Sequence, residues 1–598
     1  MTPRLDHAAI GNGRVLALVA PDSSIEWLCL PRFDSPSVFA ALLDPERGGA
    51  FRFLVDGAPI NAQRTEYITN TNVLRSEFAA DGSRWEIIDF APRTLAASAR
   101  VDAPLEIIRL VRPLAGSPRF AVDFRPRPDY AREPGELRTT QHGVEVIGAG
   151  APLHLYTNVT GDRVCGRTEI TAREPLYFVL SYGDRQARPT VASVEQAFDE
   201  TVRAWRLWAM GCALPSYAPR EVLRSALCLK LHAYLDTGAI ISAATTSIPE
   251  AIGTERTWDY RYCWLRSAAF TVDALRRLSH LNEGGQFLAF LRDVAESAPL
   301  QPVYGVGGER KLPESILEHL HGFAGSGPIR IGNAAATQQQ NDLNGHIVLC
   351  LQAMLDDPRI AMDRPDELFP LLERLVEDAI VRAPEVDTGI WEFRTSPRHY
   401  TFSRAMCWVA LIRGARLAAR MGRRELAARW SELADKERRI ILGRGFNDSA
   451  RCFTQALDGV HGDAANLLLP SIGIVDPRDP RFVATLQDYG CRMTQRGLMR
   501  RYTNPDDLGA TSSVFTRCSF WWAEALALTG RIEDACSVFE RVVRHANPHG
   551  LFSEDIDPET GQLLGNFPQV DTHVSLINAA MTIGGLLDAR DGRVRAWR

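Results

Sequence analysis

No apolar stretch in this chain is long enough to cross a bilayer, and its first residues, MTPRLDHAAIGNG, carry no basic run followed by an apolar one. Neither a membrane span nor a secretory leader is expected, and the chain reads as cytoplasmic. Charge is not blocked by sign anywhere: 68 Lys and Arg stand against 73 Asp and Glu, for a formal net charge of −5. That balance offers no electrostatic footprint for nucleic acid or an anionic membrane, so neither is an expected partner. Eleven cysteines are scattered from Cys29 to Cys536 without one Cys-x-x-Cys pair. An odd, dispersed set argues against a disulfide framework or a thiolate zinc site and leaves the cysteines as small buried hydrophobes. The Gly-rich YGVGGER (304–310) lacks the Lys-Ser/Thr of a phosphate loop and reads as a turn at a pocket rim. The HLH at 319–321 has no third ligand nearby and reads as exposed helix-end histidines. No metal and no cofactor is expected.

What is present is length: 598 residues exceed a single ordinary core, so two domains, or a domain plus a helical array, are expected. Up to about residue 190, β-rich runs such as GRVLALVAPDSSIEWLCLP, SRWEIIDF, LEIIRLV and RFAVDF alternate with Pro, Gly and Asp. Pro21 to Ser24 form a turn between two strands, and the pattern predicts an antiparallel β-sandwich. From VEQAFDETVRAWRLWAM onward the spacing is helical. Val222, Leu223, Ala226, Leu227, Leu231, Tyr234 and Leu235 form one apolar stripe, and similar segments recur to VSLINAAMTIGGLLDA. Roughly a dozen helix-like segments are joined by very unequal loops, which favours paired helices closed into a barrel over a solenoid. The expected boundaries are a sandwich over 1–190, a linker helix over 191–218 and a helical barrel over 219–598.

The unusual residues fall in the inter-helix loops. RTWDYRYCWLRSAAF (256–270), DTGIWEFRTSPRHYTFSRAMCW (387–408) and NPHGLFSEDIDPETGQLLGNFPQVDTHVSLI (547–577) each set acids beside aromatic, Gly or Pro residues ahead of a helix. A lone acid in a loop is most often a helix cap or half of an ion pair. Three such loops in one array make a shared pocket the better reading, because loops on a rigid scaffold carry function. Aromatic faces stack on sugar rings while Arg and carboxylates bond hydroxyls, so the expected partner is a small carbohydrate or sugar-like molecule. Self-association is compatible with the sequence and not specified by it.

At these residues the chain resembles the bacterial branch of glycoside hydrolase family 15, the glucoamylase and trehalase-like enzymes. Family-like words run nearly end to end: SSIEWLCLPRFDSPSVFA, TTSIPEAIGTERTWDYRYCWLR, GPIRIGNAAATQQQND, DTGIWEFR, CSFWWAEALALTGR and GLFSEDIDPETGQLLGNFPQ. The resemblance implies a β-sandwich followed by an (α/α)6 barrel and an inverting α-glycosidase whose pocket lies at one end of the barrel. It implies Glu392 as general acid and Glu554 as general base. Inverting carboxyl pairs stand ~6.5–9.5 Å apart to admit a water. One must stay protonated while the other stays ionised, and Trp391 is expected to shield Glu392. Tyr260, Trp264 and Arg266 match residues lining the sugar subsite at the cleaved bond; Trp258 and Asp259 are expected to line it or to brace the loop.

The words also depart from the family pattern. Where WLRDA is usual the chain has Ser267, and where FPQAFSH is usual it has Asp571, both taken as substrate-binding positions with Trp391. Thr337, Asn344, His346 and Ser512 likewise replace expected Asp, Tyr, Glu and Glu. Loss of a charge-assisted bond at 267 is worth ~1.5–3 kcal/mol, or about one to two orders of magnitude in rate. Three readings follow. The first is an inverting glycosidase on an α-linked glucoside of the trehalose, maltose or isomaltose type, or on a related modified sugar. The second is the same fold turned to another acid/base reaction, and the third is a carbohydrate-binding protein without turnover.

Overall fold

The computed structural model of the chain describes residues 3–95, 101–148, 150–185, 187–296, 298–360, 365–395 and 397–593. The outer limits drawn at 1 and 598, and Ser396 within the 387–408 segment, lie outside them. Two antiparallel sheets open the chain. The first orders Ala8–Gly11, Leu16–Val19, Ile25–Cys29, Ala50–Leu54, Arg119–Arg125 and Ile170–Thr171, with Ser37–Phe39 beside Ile25–Cys29. The second orders Glu136–Thr140, Gly143–Ile147, Leu153–Thr157, Leu176–Tyr182, Glu106–Ala115, Ser83–Phe90, Leu74–Ala80 and Arg64–Tyr67. Pro21 to Ser24 form the expected turn, closed by the Ser24 carbonyl accepting from Ala20 N–H at 2.8 Å.

Side-chain parity explains why these strands read as near-continuous apolar runs. Ala17, Val19, Trp85, Ile87, Phe178 and Leu180 meet between the sheets. Their strand neighbours Leu16, Leu18, Ile88, Phe90, Tyr177 and Val179 belong instead to the core shared with the helices. Successive side chains point to opposite faces, so covering both faces removes the polar alternation expected of a half-solvated sheet.

Among the described residues, twelve helices of twelve residues or more follow. Helix α1 (Val191–Met210) starts at a Thr190/Ser193 capping box and packs Val194, Val202 and Trp205 into the shared core. After it come α2 (Pro219–His232), α3 (Leu265–Arg277), α4 (Asn282–Glu296), α5 (Leu343–Asp356), α6 (Phe369–Arg382), α7 (Thr401–Arg420), α8 (Arg424–Arg444), α9 (Leu469–Ile472), α10 (Pro480–Arg492), α11 (Thr516–Leu528), α12 (Ile532–Val543) and α13 (Val570–Arg590). Helices α3, α5, α7, the 3-10 turn Ala464–Leu468 continued by α9, then α11 and α13, pack in that order into a closed inner ring. Helices α2, α4, α6, α8 and α12 pack outside it, while α10 covers the hairpin of Phe446–Asn447 and Cys452–Phe453. Inner helices are buried on nearly every face, as the unbroken buried run Thr401–Leu411 of α7 shows. Outer helices α8 and α12 bury one stripe only, whereas α2 is buried throughout Ser225–His232.

The unequal loops follow from this wiring. Inner helices α3, α7 and α11 hand over to their outer successors in short connections, 278–281, 421–423 and 529–531, whereas outer-to-inner segments are long: 233–264, 297–342, 493–515 and 544–569. All the long segments therefore gather at the N-terminal ends of the inner helices. Two expectations are corrected here. Helix α2 stops at His232, and Tyr234 and Leu235 lie in the turn beyond it, Tyr234 against Phe33 at 5.3 Å. Tyr304 to Arg310 does turn, yet it docks on the sandwich rather than on a pocket rim, through Val306 N–H to Asp34 (2.9 Å) and Glu309 to Arg32 (2.7 Å). His319 and His321 also sit in a loop on the sandwich, at the Tyr130 carbonyl (2.7 Å) and Asp44 (2.9 Å), and not at a helix end.

One buried guanidinium ties the two parts together. Arg261 pairs with Asp259 (2.6 and 2.9 Å) and donates to the Ser35 carbonyl and the Tyr130 hydroxyl, both at 2.8 Å, with neither charged side chain exposed. Arg261→Met would strand Asp259 as a buried, unpaired anion and should lower the unfolding free energy by ~3–5 kcal/mol. Denaturant unfolding checks this, with Arg261→Met/Asp259→Asn expected to recover part of the loss. A single variant as stable as the parent would refute a charge-based role.

Candidate active site

The long segments enclose a pocket of about 420 Å³ at the ring's N-terminal end. It opens into an outer compartment of about 790 Å³. Tyr260, Trp391, Glu392 and Arg501 line both and form the neck between them.

Glu554 forms one wall. It sits just before the short strand Asp555–Ile556, which pairs with Val514–Phe515 and Leu563–Leu564. Gly565, at φ 72°, allows this approach, since a Cβ there would lie 2.7 Å from the Cβ of Glu554. Oε1 accepts the Tyr260 hydroxyl at 2.8 Å, and Oε2 is buried without a partner. Glu250 and Asp555 bring their carboxylate oxygens within 4.8 Å of those of Glu554. Arg501 holds this acidic group together: it pairs with Glu250 and with Asp555 (3.1 Å), while Trp258 donates to Glu250 and Ser513 to Asp555, each at 3.0 Å. Burial, with Glu250 and Asp555 alongside, pushes the Glu554 carboxyl well up, and Arg501 and Tyr260 oppose the shift without cancelling it. Burial likewise carries Asp555 up to about 7 despite Arg501.

Glu392 forms the opposite kind of wall. Its backbone adopts φ 62°, in the left-handed region that a bulky residue rarely enters. Trp264 Nε1 (2.8 Å), Arg266 Nη2 (2.9 Å) and Gln340 Nε2 (3.1 Å) all donate to Oε1, leaving Oε2 free. Arg266 is fixed from behind by Asp342 at 3.1 Å. Burial pushes Asp342 up, but Arg266 and His346 outweigh it, and its carboxyl falls to about 2. The Trp391 indole N–H is spent on Asp463 (2.9 Å), and the groups bonded to Glu392 are Trp264, Arg266 and Gln340. The Tyr260 and Trp264 rings meet edge to face at 5.2 Å and bridge the partners of the two glutamates.

The closed end of the pocket carries Ser267 and Asp571, brought together from α3 and α13. The Ser267 hydroxyl donates to Asp571 Oδ2 at 2.9 Å, and Arg517 Nη1 donates to the same oxygen at 2.8 Å. Other departures lie elsewhere. Thr337 and Ser512 are exposed. Asn344 donates to Asp378 at 2.7 Å, and His346 packs against Phe270 at 4.7 Å, 3.2 Å from Asp342. None of the four lines either compartment, so the expectation of a broadly rewritten pocket narrows to its closed end. Trp258 lines the outer compartment, and Asp259 braces the loop through Arg261. Sequence reading missed Glu250, Arg501, Gln340 and Arg517. Only Arg517 left a signal, standing in SSVFTRCSFW where EGTFLLCSFW has leucine.

The profile of glycosyl hydrolases family 15 matches residues 218–581, and that of the trehalase-like N-terminal domain matches residues 2–203. The chain belongs to glycosyl hydrolase family 15. A trehalase of Mycobacterium tuberculosis is 36% identical to this family 15 chain, over 97% of it and 89% of the relative. A trehalase of Thermoplasma volcanium is 32% identical, over 99% and 95%. A crystal structure of a bacterial glucoamylase complexed with acarbose superposes with a TM-score of 0.70 at 13% identity, covering 98% of this chain and 96% of that one. The family 15 fold, a sandwich followed by an (α/α)6 barrel, is thus the fold of this chain.

An unfolded-state aspartate titrates near ~4, whereas Asp555 titrates at about 7. Between those values the folded chain keeps a proton that the unfolded chain has released. The stabilisation from that proton is complete below about pH 4 and is lost as pH rises through about 7. Asp555→Asn should therefore flatten the fall of melting temperature over this window, and identical pH profiles for variant and parent would count against the assignment.

Proposed function

We propose that this protein is an inverting α-glucosidase acting on a trehalose-type disaccharide, with Glu392 as general acid and Glu554 as general base. The observation that carries the reading is the contrast between two carboxylates on one pocket. Glu392 takes three donors on Oε1, so Oε2 is the oxygen that carries a proton to the glycosidic oxygen. Glu554 holds Tyr260 on Oε1 and keeps the buried Oε2 for a water attacking the anomeric carbon from the other ring face. Tyr260, Trp264 and Arg266 hold these two carboxyl groups and line the inner compartment, which takes the ring being cleaved. The outer compartment, with Trp258, Phe393 and Tyr502 in its wall, takes the leaving sugar. Trehalase relatives at 32–36% identity favour trehalose over maltose and isomaltose. All eleven cysteines are free, which supports a cytoplasmic setting.

Attack with inversion on trehalose releases one β-glucose and one α-glucose. A proton NMR time course should show both anomers in equal amounts before mutarotation, and Glu392→Gln and Glu554→Gln should each lower kcat by ~10²–10⁴. Two α-glucose molecules would contradict inversion. Free-sugar release unaffected by Glu554→Gln would remove the base from the mechanism. The reading of another acid/base reaction draws on the altered closed end of the pocket, and it requires trehalose, maltose and isomaltose all to survive.

A base works only when ionised, and Glu554 is raised, so the acid limb of kcat/KM should lie above the ordinary carboxylate range. Glu250→Gln removes a neighbouring negative charge, eases ionisation of Glu554 and should move that limb down by about one pH unit. An unmoved or raised limb would show that Glu250 does not act on the base.

A further inference from the structure

The closed end of the inner compartment holds a buried acceptor with nothing to accept. Asp571 Oδ2 is saturated by Ser267, Arg517 and the Gln569 amide (2.9, 2.8 and 3.3 Å), while Oδ1 is buried and has no partner. Buried polar oxygens are normally bonded. This one belongs to a residue that lines a cavity already argued to hold a sugar ring. The group is rigidly held. Arg517 lies over the rings of Phe515, Trp521 and Trp391 at 4.6, 4.9 and 5.2 Å, and Asp571 is the second residue of α13, where the helix dipole favours an anion.

The sequence departures at this end form one set. Serine at 267, arginine at 517 and aspartate at 571 stand where the words WLRDA, EGTFLLCSFW and FPQAFSH, which this chain resembles, carry aspartate, leucine and phenylalanine. Inner helices α3 and α13 are ring neighbours, and the Ser267 hydroxyl touches the Asp571 carboxylate. We infer that Asp571, clamped by Arg517 and Ser267, is the carboxylate that accepts a hydroxyl of the neutral pyranose in the inner compartment, in place of the one missing at 267. Arg517 offsets the carboxylate's charge and repels an ammonium, so the donor is a hydroxyl and not the amine of an amino sugar. This assignment rests on the glucosidase reading for the identity of the ring, and it deepens that reading by naming the specificity residue.

The test follows binding without turnover. Trp264 and Trp391 in the wall report D-glucose, the four monodeoxyglucoses lacking the 2-, 3-, 4- or 6-hydroxyl, and D-glucosamine by fluorescence titration, beside kcat/KM on trehalose. Asp571→Ala should weaken glucose binding and lower kcat/KM by about 10–100-fold. One deoxyglucose should bind the parent that much more weakly than glucose and no longer distinguish parent from variant. The reciprocal exchange Ser267→Asp/Asp571→Ser should bind glucose better than Asp571→Ser alone and again penalise loss of a single hydroxyl, whereas a merely structural rescue would raise the binding of glucose and every deoxyglucose alike. The same loss on every deoxyglucose as on glucose overturns the inference, as does preferential binding of glucosamine. Trehalose hydrolysis intact with glucose binding indifferent to Asp571 overturns this inference alone. Glucose binding that depends on Asp571, with trehalose untouched, overturns the hydrolase reading and leaves the hydroxyl contact standing.

Discussion

The pairing of Arg261 with Asp259 is the constraint on which the geometry of the site depends. Both ions are removed from water, which is tolerable only when each is paired and hydrogen-bonded. The guanidinium meets that condition with partners from both parts of the chain: Asp259 beside the pocket, and Ser35 and Tyr130 on the sandwich. Tyr260, between the two ions in the chain, and Trp264 and Arg266, just after them, reach the two glutamates. Alternation along one short segment thus sends side chains to the junction and to the pocket in turn, and the sandwich becomes part of what fixes the pocket wall.

A second electrostatic arrangement sets the character of the two carboxylates. Arg501 is shared among acids that could not otherwise be buried together, whereas Arg266 is committed to Asp342 and Glu392. Burial leaves Asp555 raised despite Arg501, whereas Asp342, bonded to Arg266 and beside His346, is lowered. Glu554 therefore takes its raised proton affinity from burial and from neighbours such as Glu250, far away in the chain.

That distance explains what the sequence made legible. Glu392 and Glu554 stand in short aromatic words ahead of helices that local composition marks out, while Tyr260, Trp264 and Arg266, in a third such word, are singled out by the family resemblance. Arg501, in GLMRRYTNP, has ordinary neighbours and gains its role only by tertiary packing. Thr337, Asn344, His346 and Ser512 show the converse. Position within a motif does not reveal which way a side chain faces: Thr337 and Ser512 turn to solvent, Asn344 to the outer helix α6 and His346 to Phe270 of α3. The sandwich was legible as short β-rich apolar runs broken by Pro, Gly and Asp, and the helical ring as recurring segments of helical spacing. The end of α2 was not, because Tyr234 and Leu235 stay apolar after the helix has stopped.

The bond between Ser267 and Asp571 also constrains the order in which such a pocket can change. A chain with acids at both 267 and 571 would set two anions at hydrogen-bonding distance, and a chain with arginine at 517 but neither acid would bury an uncompensated cation. Positions 267, 517 and 571 are therefore coupled: arginine at 517 needs an acid beside it, at 267 or at 571, and a second acid is tolerable only while that arginine remains.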